Sequence, residues 1–198
     1  PHMYFTTLLL GEIASDNTLS GGESATDVVG IQQIDDMIHT PVNAQLKNIW
    51  DWMFAGVYRA SYILEFKDKI DFDGKDQIIA EARFLKAYYN FELVKWFGPI
   101  PLKEDARFVI SDVTSIPRSP VEDVYASIES DLIYAIAHLN VTAPQVGRAT
   151  KGAAQALLGK VYLYQNKFLN AANVLDDVIL DGNYDLVTNY NAIFENNT

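Results

Sequence analysis

The stretch from Ala80 to Leu102 constrains the fold more than any other part of the chain, because it predicts a helix with two apolar sides. At about 100° per residue, six side chains fall within about 60° of one line: Ile78, Ala82, Leu85, Tyr89, Leu93 and Trp96. Three aromatic residues form a second stripe, roughly 220–280° round the axis: Phe84, Tyr88 and Phe91. We therefore expect this helix to be covered on two sides, inside a helical assembly.

The limits of this helix and its polar side follow from the same stretch. The helix is predicted to begin near Lys75 and to end at Gly98, because Pro99 and Pro101 prevent it from restarting. The remaining polar residues share one face, which we expect to be in contact with water: Arg83, Lys86 and Asn90.

Apolar periodicity predicts two more helices before this stretch. Tyr4 to Ile13 is expected to form a short helix, and Asn43 to roughly Lys67 a long one, whereas residues 31–41 are ambiguous. Residues 14–30 between them are polar and contain Gly21 and Gly22. They predict a long loop, and loops of this length in a compact domain are often functional.

After the central helix, Pro101 to Pro117 is expected to be an extended linker. Ser119 is expected to cap the following helix, with Pro120 at its first position. That helix should run to about Leu139, with five residues on its core face: Val124, Ile128, Leu132, Ala135 and Leu139.

The segment from Lys151 to Leu186 predicts a helical hairpin that Thr150 caps. Three small residues recur on one face and should let a neighbouring helix come close: Gly152, Ala156 and Gly159. The pattern LGKVYLYQNKFLNAANVLDDVI is similar to a tetratricopeptide repeat. The expected fold class is therefore all-α, with tetratricopeptide-like helical hairpins and long irregular loops.

Charge and composition exclude several functional classes. The net charge of −11 over 198 residues argues against binding to nucleic acid or to an anionic membrane surface. The chain has no cysteine, which removes disulfides, thiolate metal sites and cysteine nucleophiles together. No window reaches about 18 apolar residues, so we expect no transmembrane helix. Residues 1–3 look like a remnant of cloning, and residues 4–198 are expected to form one domain.

The segment from Glu81 to Pro101, EARFLKAYYNFELVKWFGPIP, is similar to the signature of the SusD-like (RagB/SusD) proteins. That family consists of surface nutrient-binding lipoproteins of the outer membrane in bacteria that take up glycans. The tetratricopeptide-like hairpin also resembles the matching part of the family. The resemblance implies that residues 4–198 are an N-terminal half, and that the C-terminal half of the family is absent.

The resemblance also implies a function. The protein is expected to bind an oligosaccharide without catalysis and without a cofactor, and to present it to a SusC-like TonB-dependent transporter. The implied location is the cell surface, at the outer membrane, through a lipid anchor on a cysteine upstream of these residues. Two alternatives stay open: a helical-repeat scaffold that binds a peptide or protein, and, less favoured, a glycoside hydrolase.

No set of residues in the sequence converges on catalysis or on a metal. His39 and His138 each stand alone, and residues 71–76 fail the spacing of a calcium loop. Glu81 and Glu92 would lie roughly 16 Å apart along one helix, too far for a glycosidase dyad. We expect Glu92 to pair with Lys95 instead. The sequence therefore predicts neither an active site nor a metal site.

Sugar binding needs aromatic faces for stacking and polar groups for the hydroxyls. Most aromatic residues here follow helical stripes, where covering helices would bury them, and Trp52 is expected to be the most exposed tryptophan. The resemblance places N-terminal glycan contacts in the loop that follows Glu12. That loop contains no aromatic residue, and its polar candidates are Asp16, Asn17, Thr18 and Glu23.

Overall fold

The structure, a computed structural model, describes residues 10–194 with the exception of residues 16 and 25, and at Val113 only the backbone. The chain divides into two compact units, Pro1–Tyr58 and Arg59–Thr198. The regular secondary structure of the described residues is helical, apart from a single pair of two-residue strands. None of the described helices combines the length and the hydropathy needed to span a bilayer.

The first unit contains helix α1 (Val29–Asp35) and most of α2 (Ala44–Glu65), which continues into the second unit. Residues 10–13 are also helical, whereas residues 4–9 of the predicted first helix lie outside the described residues. Asn43 caps α2, because its Oδ1 accepts hydrogen bonds from the backbone of Gln45 at 3.0 Å and Leu46 at 3.3 Å. The predicted start of this long helix is confirmed.

The second unit is organised around α3 (Lys75–Phe97), which has the predicted limits. Gly98 ends the helix with φ of 65°, a conformation that glycine adopts without steric cost. Strand β1 (Ile100–Pro101) then pairs with antiparallel strand β2 (Arg118–Ser119). The guanidinium of Arg118 donates to the carbonyls of Pro99 at 2.6 Å and Phe97 at 2.7 Å, which satisfies the end of α3.

Two predictions about the following segment were wrong. Residues 101–117 do not form an extended linker, because the strand pair closes them into a loop that contains a 3₁₀ helix at Ile110–Thr114. Ser119 does not cap the next helix, because it lies in β2 opposite Ile100. That helix, α4 (Val121–His138), has Pro120 as its N-cap and no side-chain capping bond.

Helices α5 (Lys151–Tyr164) and α6 (Phe168–Leu180) form the predicted hairpin, and a 3₁₀ helix follows at Tyr190–Phe194. In sequence order α3 packs on α4, α4 on α5, and α5 on α6. The hydroxyl oxygen of Thr150 accepts from the backbone of Ala153 at 3.2 Å, which confirms this cap. The fold is therefore all-α and built from stacked helices in the tetratricopeptide-like manner, as predicted.

Two of the three small residues on the predicted face of α5 lie at close contacts, and the third does not. Gly159 is buried, and a Cβ atom there would lie 2.6 Å from the side chain of Leu175 in α6. Gly152 is also buried, against the ring of Tyr184. Ala156 is exposed, so its predicted place in the close contact was wrong.

The predicted water-facing side of α3 is the largest error of the sequence analysis. Lys86 and Asn90 are each only 2% exposed, and Arg83 is largely buried. In contrast Leu85, which was assigned to an apolar stripe, is 44% exposed. The reason is tertiary, because α4 covers this polar side and brings Asp131 against it.

Candidate functional site

The loop predicted to contact sugar is shaped by two aspartates that the sequence analysis did not single out. Asp27 accepts hydrogen bonds from the backbone of Glu23 at 2.6 Å and Ser24 at 3.3 Å. Asp35 of α1 accepts one from the backbone of Ser20 at 2.8 Å. These bonds hold the loop through its backbone, so the side chain of Glu23 stays exposed.

The other predicted loop residues are partly described. Asn17 and Thr18 are exposed, and the amide of Asn17 lies at the limit of a hydrogen bond to Glu12, 3.5 Å away. Asp16 lies outside the described residues. The described candidates Asn17, Thr18 and Glu23 are therefore exposed to solvent, and their role in glycan binding stays a prediction.

The aromatic residues of α2 are less covered than their helical register suggested. Trp52 is half-buried, and so are Trp50 and Trp96. The structure therefore does not single out Trp52 as the exposed tryptophan. Tyr58 is 42% exposed and Tyr62 46% exposed, although both were expected to be buried. Aromatic surface is therefore accessible on this helix.

An apolar groove of about 440 Å³ lies where α2 leads into α3. Its walls include Tyr62, Phe66 and Phe72, of which Phe72 is 51% exposed. The guanidinium carbon of Arg107 lies 4.7 Å from the ring centroid of Tyr62, and the ammonium of Lys69 lies 4.4 Å from that of Phe66. Because these two rings already carry cations, they are less available to stack on a ligand.

A larger cleft, of about 650 Å³, is polar and lies between α3, α4 and the segment after β1. Charged and hydroxyl side chains dominate its lining, including Arg83, Lys86, Lys103, Asp123, Ser127 and Ser130. Its volume falls in the range of roughly 300–1,000 Å³ that is typical of small-molecule sites. It contains no aromatic residue among those that line it.

The floor of this polar cleft is a network of buried ion pairs. Asp131 accepts a hydrogen bond from Arg83 at 2.6 Å, and its other oxygen lies 3.2 Å from the ammonium of Lys86. Arg83 also donates to Asp105 at 3.0 Å, and Lys67 donates to the same carboxylate at 2.8 Å. The side chains of Lys86 and Asp131 are 2% and 3% exposed, so the ion pair with Asp131 compensates Lys86 for lost hydration, and Asp131 is compensated by Arg83 and Lys86 together.

The network shifts the titration of its members. Burial opposes the charged form of Arg83, but the hydrogen bond and charge of Asp131 outweigh it and raise the Arg83 pKa above its usual value. Burial likewise opposes ionisation of Asp105, but the hydrogen bond from Lys67 and the charges of Arg83, Lys67 and Lys86 lower its pKa. The ionised form of both groups is therefore favoured in the folded protein.

Two atoms of this network have no hydrogen-bond partner among the described residues: Asp131 Oδ2 and Arg83 Nε. The 3.2 Å approach of Lys86 to Asp131 Oδ2 is an ion pair whose geometry does not make a hydrogen bond. Buried polar atoms are normally hydrogen-bonded, which makes this part of the cleft unusual.

The two glutamates weighed as a catalytic pair are engaged elsewhere. Glu92 accepts from Lys95 at 2.6 Å, which confirms the predicted pair. Glu81 forms a bidentate pair with Arg148 and also accepts from Gln77 at 2.8 Å. Within the described residues, no group of histidine and acidic side chains could hold a metal ion.

The chain matches known proteins along most of its length. The model of a SusD-like family, described as starch-binding and associating with the outer membrane, matches residues 8–163. A SusD-like protein of Bacteroides ovatus is 28% identical over 79% of this chain and 31% of its own length. One of Formosa agariphila is 28% identical over 88% of this chain and 34% of its own length.

Solved structures give the same result. A laminarin-binding SusD-like protein superposes with a TM-score of 0.81 and 29% identity, over 98% of this chain and 47% of that protein. A structure with xylogluco-oligosaccharide superposes with a TM-score of 0.77 and 25% identity, over 96% of this chain and 40% of that protein. The chain spans about a third of the length of the curated relatives that it matches. With the family match, the helical stack and the Glu81–Pro101 segment all in agreement, this chain belongs to the SusD-like family and matches its N-terminal part.

Proposed function

We propose that this protein is a non-catalytic, cell-surface binding protein for oligosaccharides. The observation that carries the proposal is the family match over residues 8–163, together with the superposition on a laminarin-binding relative over 98% of the chain. The absence of catalysis is supported by Glu81 and Glu92, because both carboxylates are held in ion pairs rather than paired with each other.

The finer part of the proposal concerns partner and location. The protein presents its oligosaccharide to a SusC-like TonB-dependent transporter, and it is held at the outer membrane by a lipid anchor that precedes these residues. The description of the matching family as associating with the outer membrane supports this location. Labelling of the full-length protein with a fatty acid in cells, and its recovery with a transporter, test the two statements separately.

The proposed glycan contacts in this part of the protein are the polar residues of the loop, together with one tryptophan: Asp16, Asn17, Thr18, Glu23 and Trp52. Exposure of Asn17, Thr18 and Glu23 supports their availability to sugar hydroxyls. Residues 4–198 act as the N-terminal domain of a longer protein, and the stacking rings that the loop lacks come from the remainder. The 198-residue chain should therefore bind its oligosaccharide much more weakly than the full-length protein.

Isothermal titration of the full-length protein with laminarin, xyloglucan and starch oligosaccharides tests the function. We expect at least one of these oligosaccharides to bind without release of reducing ends. Binding of none of them would overturn the proposal. Thr18→Ala and Glu23→Gln should weaken binding, whereas Asn173→Ala, an exposed residue of α6, serves as the matched control. Equal affinities of all three variants would remove the loop from the site while leaving the function in place.

A further inference from the structure

Helix α6 has more apolar side chains than its contact with α5 covers. The polar residues of Phe168–Leu180 are Asn170, Asn173, Asp176 and Asp177, and all the others are apolar. Ala171 is the one residue of this helix that is buried. Most of the apolar surface of α6 is therefore left without cover by the described residues.

The apolar residues of α6 fall on two adjacent sides of the helix. At about 100° per residue, the half-buried Val174 and Val178 lie within about 60° of the buried Ala171, on the inner side. A second stripe lies about 40–100° from Ala171 and contains four residues: Phe168, Ala172, Leu175 and Ile179. Leu175, at its inner edge, is half-buried, whereas Ala172 is exposed and Phe168 and Ile179 are 63% and 71% exposed.

The segment after α6 adds further exposed apolar side chains. Leu186 is 91% exposed, and Tyr190 and Phe194 of the last 3₁₀ helix are 70% and 72% exposed. The rings of Tyr190 and Phe194 lie against each other, with centroids 5.4 Å apart. Large exposed apolar patches mark interaction sites on soluble proteins, which directs attention to this end of the helical stack.

The helical stack indicates what kind of partner covers the second stripe. Each of α3, α4 and α5 packs against the helix that follows it in the chain. The end helix of such an array needs a polar outer face, and the second stripe of α6 is apolar. Its residues have the spacing i, i+4, i+7 and i+11, which is the pattern by which one helix packs along another. The stripe is therefore suited to a further helix.

Charge narrows the choice of that helix. Residues 168–198 contain acids but no lysine, arginine or histidine, and Asp176 lies beside the second stripe, at about 140° on the wheel. Lys167, just before α6, already pairs with Glu129 at 2.6 Å. Two copies that met through this stripe would bring acids towards acids, which is unfavourable. A helix with basic residues beside its apolar side would instead pair with Asp176.

We propose that the second stripe of α6 is the docking surface for an amphipathic helix with basic residues beside its apolar side, supplied by the part of the full-length protein after residue 198. The matched relatives are long enough to supply it, since this chain spans 31% and 34% of their lengths. The inference rests on the proposed place of residues 4–198 as the N-terminal domain of a longer protein. It adds the surface that joins this domain to the remainder.

The test uses the full-length protein with single cysteines on α6. Residues 1–198 contain no cysteine, so each variant introduces one thiol into this region. Ala172→Cys and Ile179→Cys probe the second stripe, and Asn173→Cys, on the polar side, is the matched control. Labelling by a maleimide is followed by mass spectrometry of the α6 peptide. The stripe positions should react at least tenfold more slowly than position 173, although all three are exposed in the structure. Equal rates at the three positions would overturn the inference.

A photo-crosslink identifies what covers the stripe. Benzophenone maleimide attached to Asp176→Cys, at the edge of the stripe, should crosslink to a segment after residue 198 of the same molecule. A product within residues 1–198, or one that joins two molecules, would overturn this occupant. Sedimentation at several concentrations gives a second check, because slow labelling that is lost on dilution to the monomer would assign the cover to a second copy.

A charge reversal tests the basic residues of the docking helix. Asp176→Lys should speed the labelling of Ala172→Cys at least threefold, because like charges then meet beside the stripe. Asp177→Lys, on the opposite side of α6, is the matched control and should leave the rate unchanged. An unchanged rate with Asp176→Lys would overturn the basic character of the partner.

Failure of this inference is distinguishable from failure of the proposed function. Titration of the same full-length protein with oligosaccharides measures glycan binding independently of α6. Oligosaccharide binding together with equal labelling at the three cysteine positions would overturn the docking surface and leave the function in place.

Discussion

Two regions of the molecule break the rule that apolar side chains are buried and charged side chains are exposed, and they do so in opposite directions. One is the contact between α3 and α4, and the other is the outer side of α6. At the first, charged side chains are buried, with Lys86 and Asp131 each 2% exposed. At the second, apolar side chains are exposed, with Leu169 at 74% and Leu180 at 82%. Apolar exposure continues beyond α6, where Leu186 is 91% exposed.

The difference shows that the neighbour of a helix face, and not its composition alone, decides whether that face is buried. Charges can be buried between α3 and α4 because carboxylates and cations meet there in pairs. Among the residues that the structure describes, helix α6 packs against a partner on its inner side, where Ala171 is buried and Leu175 lies against Gly159. Its outer apolar side chains have no such cover within the described residues.

The largest effect is expected from removing the shared carboxylate of the buried network. Asp131→Ala leaves Lys86 and Arg83 without their main counter-charge, so the free energy of unfolding should fall by about 3–5 kcal/mol. Urea denaturation followed by circular dichroism measures it. The matched control is Asp123→Ala, which removes an exposed acid of the same helix and should change stability by at most about 0.5 kcal/mol. If Asp131→Ala lowered the free energy of unfolding by less than about 1 kcal/mol, the buried ion pairs would not be essential to the stability of the fold.

The same truncation made in both regions compares them directly. Leu132→Ala, at a fully buried position of α4, should lower the free energy of unfolding by about 2–5 kcal/mol. Leu169→Ala, at a 74% exposed position of α6, should change it by at most about 0.5 kcal/mol. Both variants are measured by thermal and urea unfolding. If Leu169→Ala lowered the free energy of unfolding as much as Leu132→Ala does, the outer side of α6 would be covered, for example by self-association. Sedimentation at several protein concentrations would reveal that self-association.

The inner side of α6 is tested at its closest contact with α5. Gly159→Leu would place a Cβ 2.6 Å from Leu175, so overpacking should destabilise the protein by about 1–3 kcal/mol or more. Ala156→Leu, one turn earlier on the exposed side of α5, is the matched control and should be nearly neutral. An unchanged melting temperature for Gly159→Leu would show that the two helices separate easily at this point.

The smallest effect concerns the pH dependence of the buried network. The pKa of Asp105 is lower in the folded protein than in the unfolded chain, where it is about 3.9. Its stabilising contribution is therefore complete above about pH 4 and is lost as the pH falls through the folded pKa. Asp105→Asn should reduce the slope of unfolding free energy against pH below about pH 4. Parallel curves for the parent and Asp105→Asn would contradict the assigned interactions.

Local features of the chain were predictable because they depend on residues close in sequence. The limits of α3, the cap at Thr150 and the core face of α4 were confirmed. The pair Glu92–Lys95 was also predictable, since residues three apart on a helix are neighbours. For these features helical geometry alone brings the interacting groups together.

One signal of the buried network was present in the sequence and was not used. On a helical wheel Asp131 lies about 20° from Val124, inside the apolar face of α4. Lys86 lies about 80° from Ile78, close to Leu93 at about 60°, at the edge of the apolar stripe of α3. A charge within or beside an apolar face indicates a buried pair, but the wheel does not identify the partner.

By itself the sequence determined the long helices, the limits of α3, the all-α class and the SusD-like family, because these depend on local periodicity and on a contiguous segment. The tertiary structure alone decided that α4 covers the polar side of α3, that Asp105 and Asp131 meet Arg83, and that a cleft opens beside them. Arg83 and Asp131 are 48 residues apart. Contacts over such a separation depend on how helices pack, and the pairing energy of charges in a buried place exists only once that packing has formed.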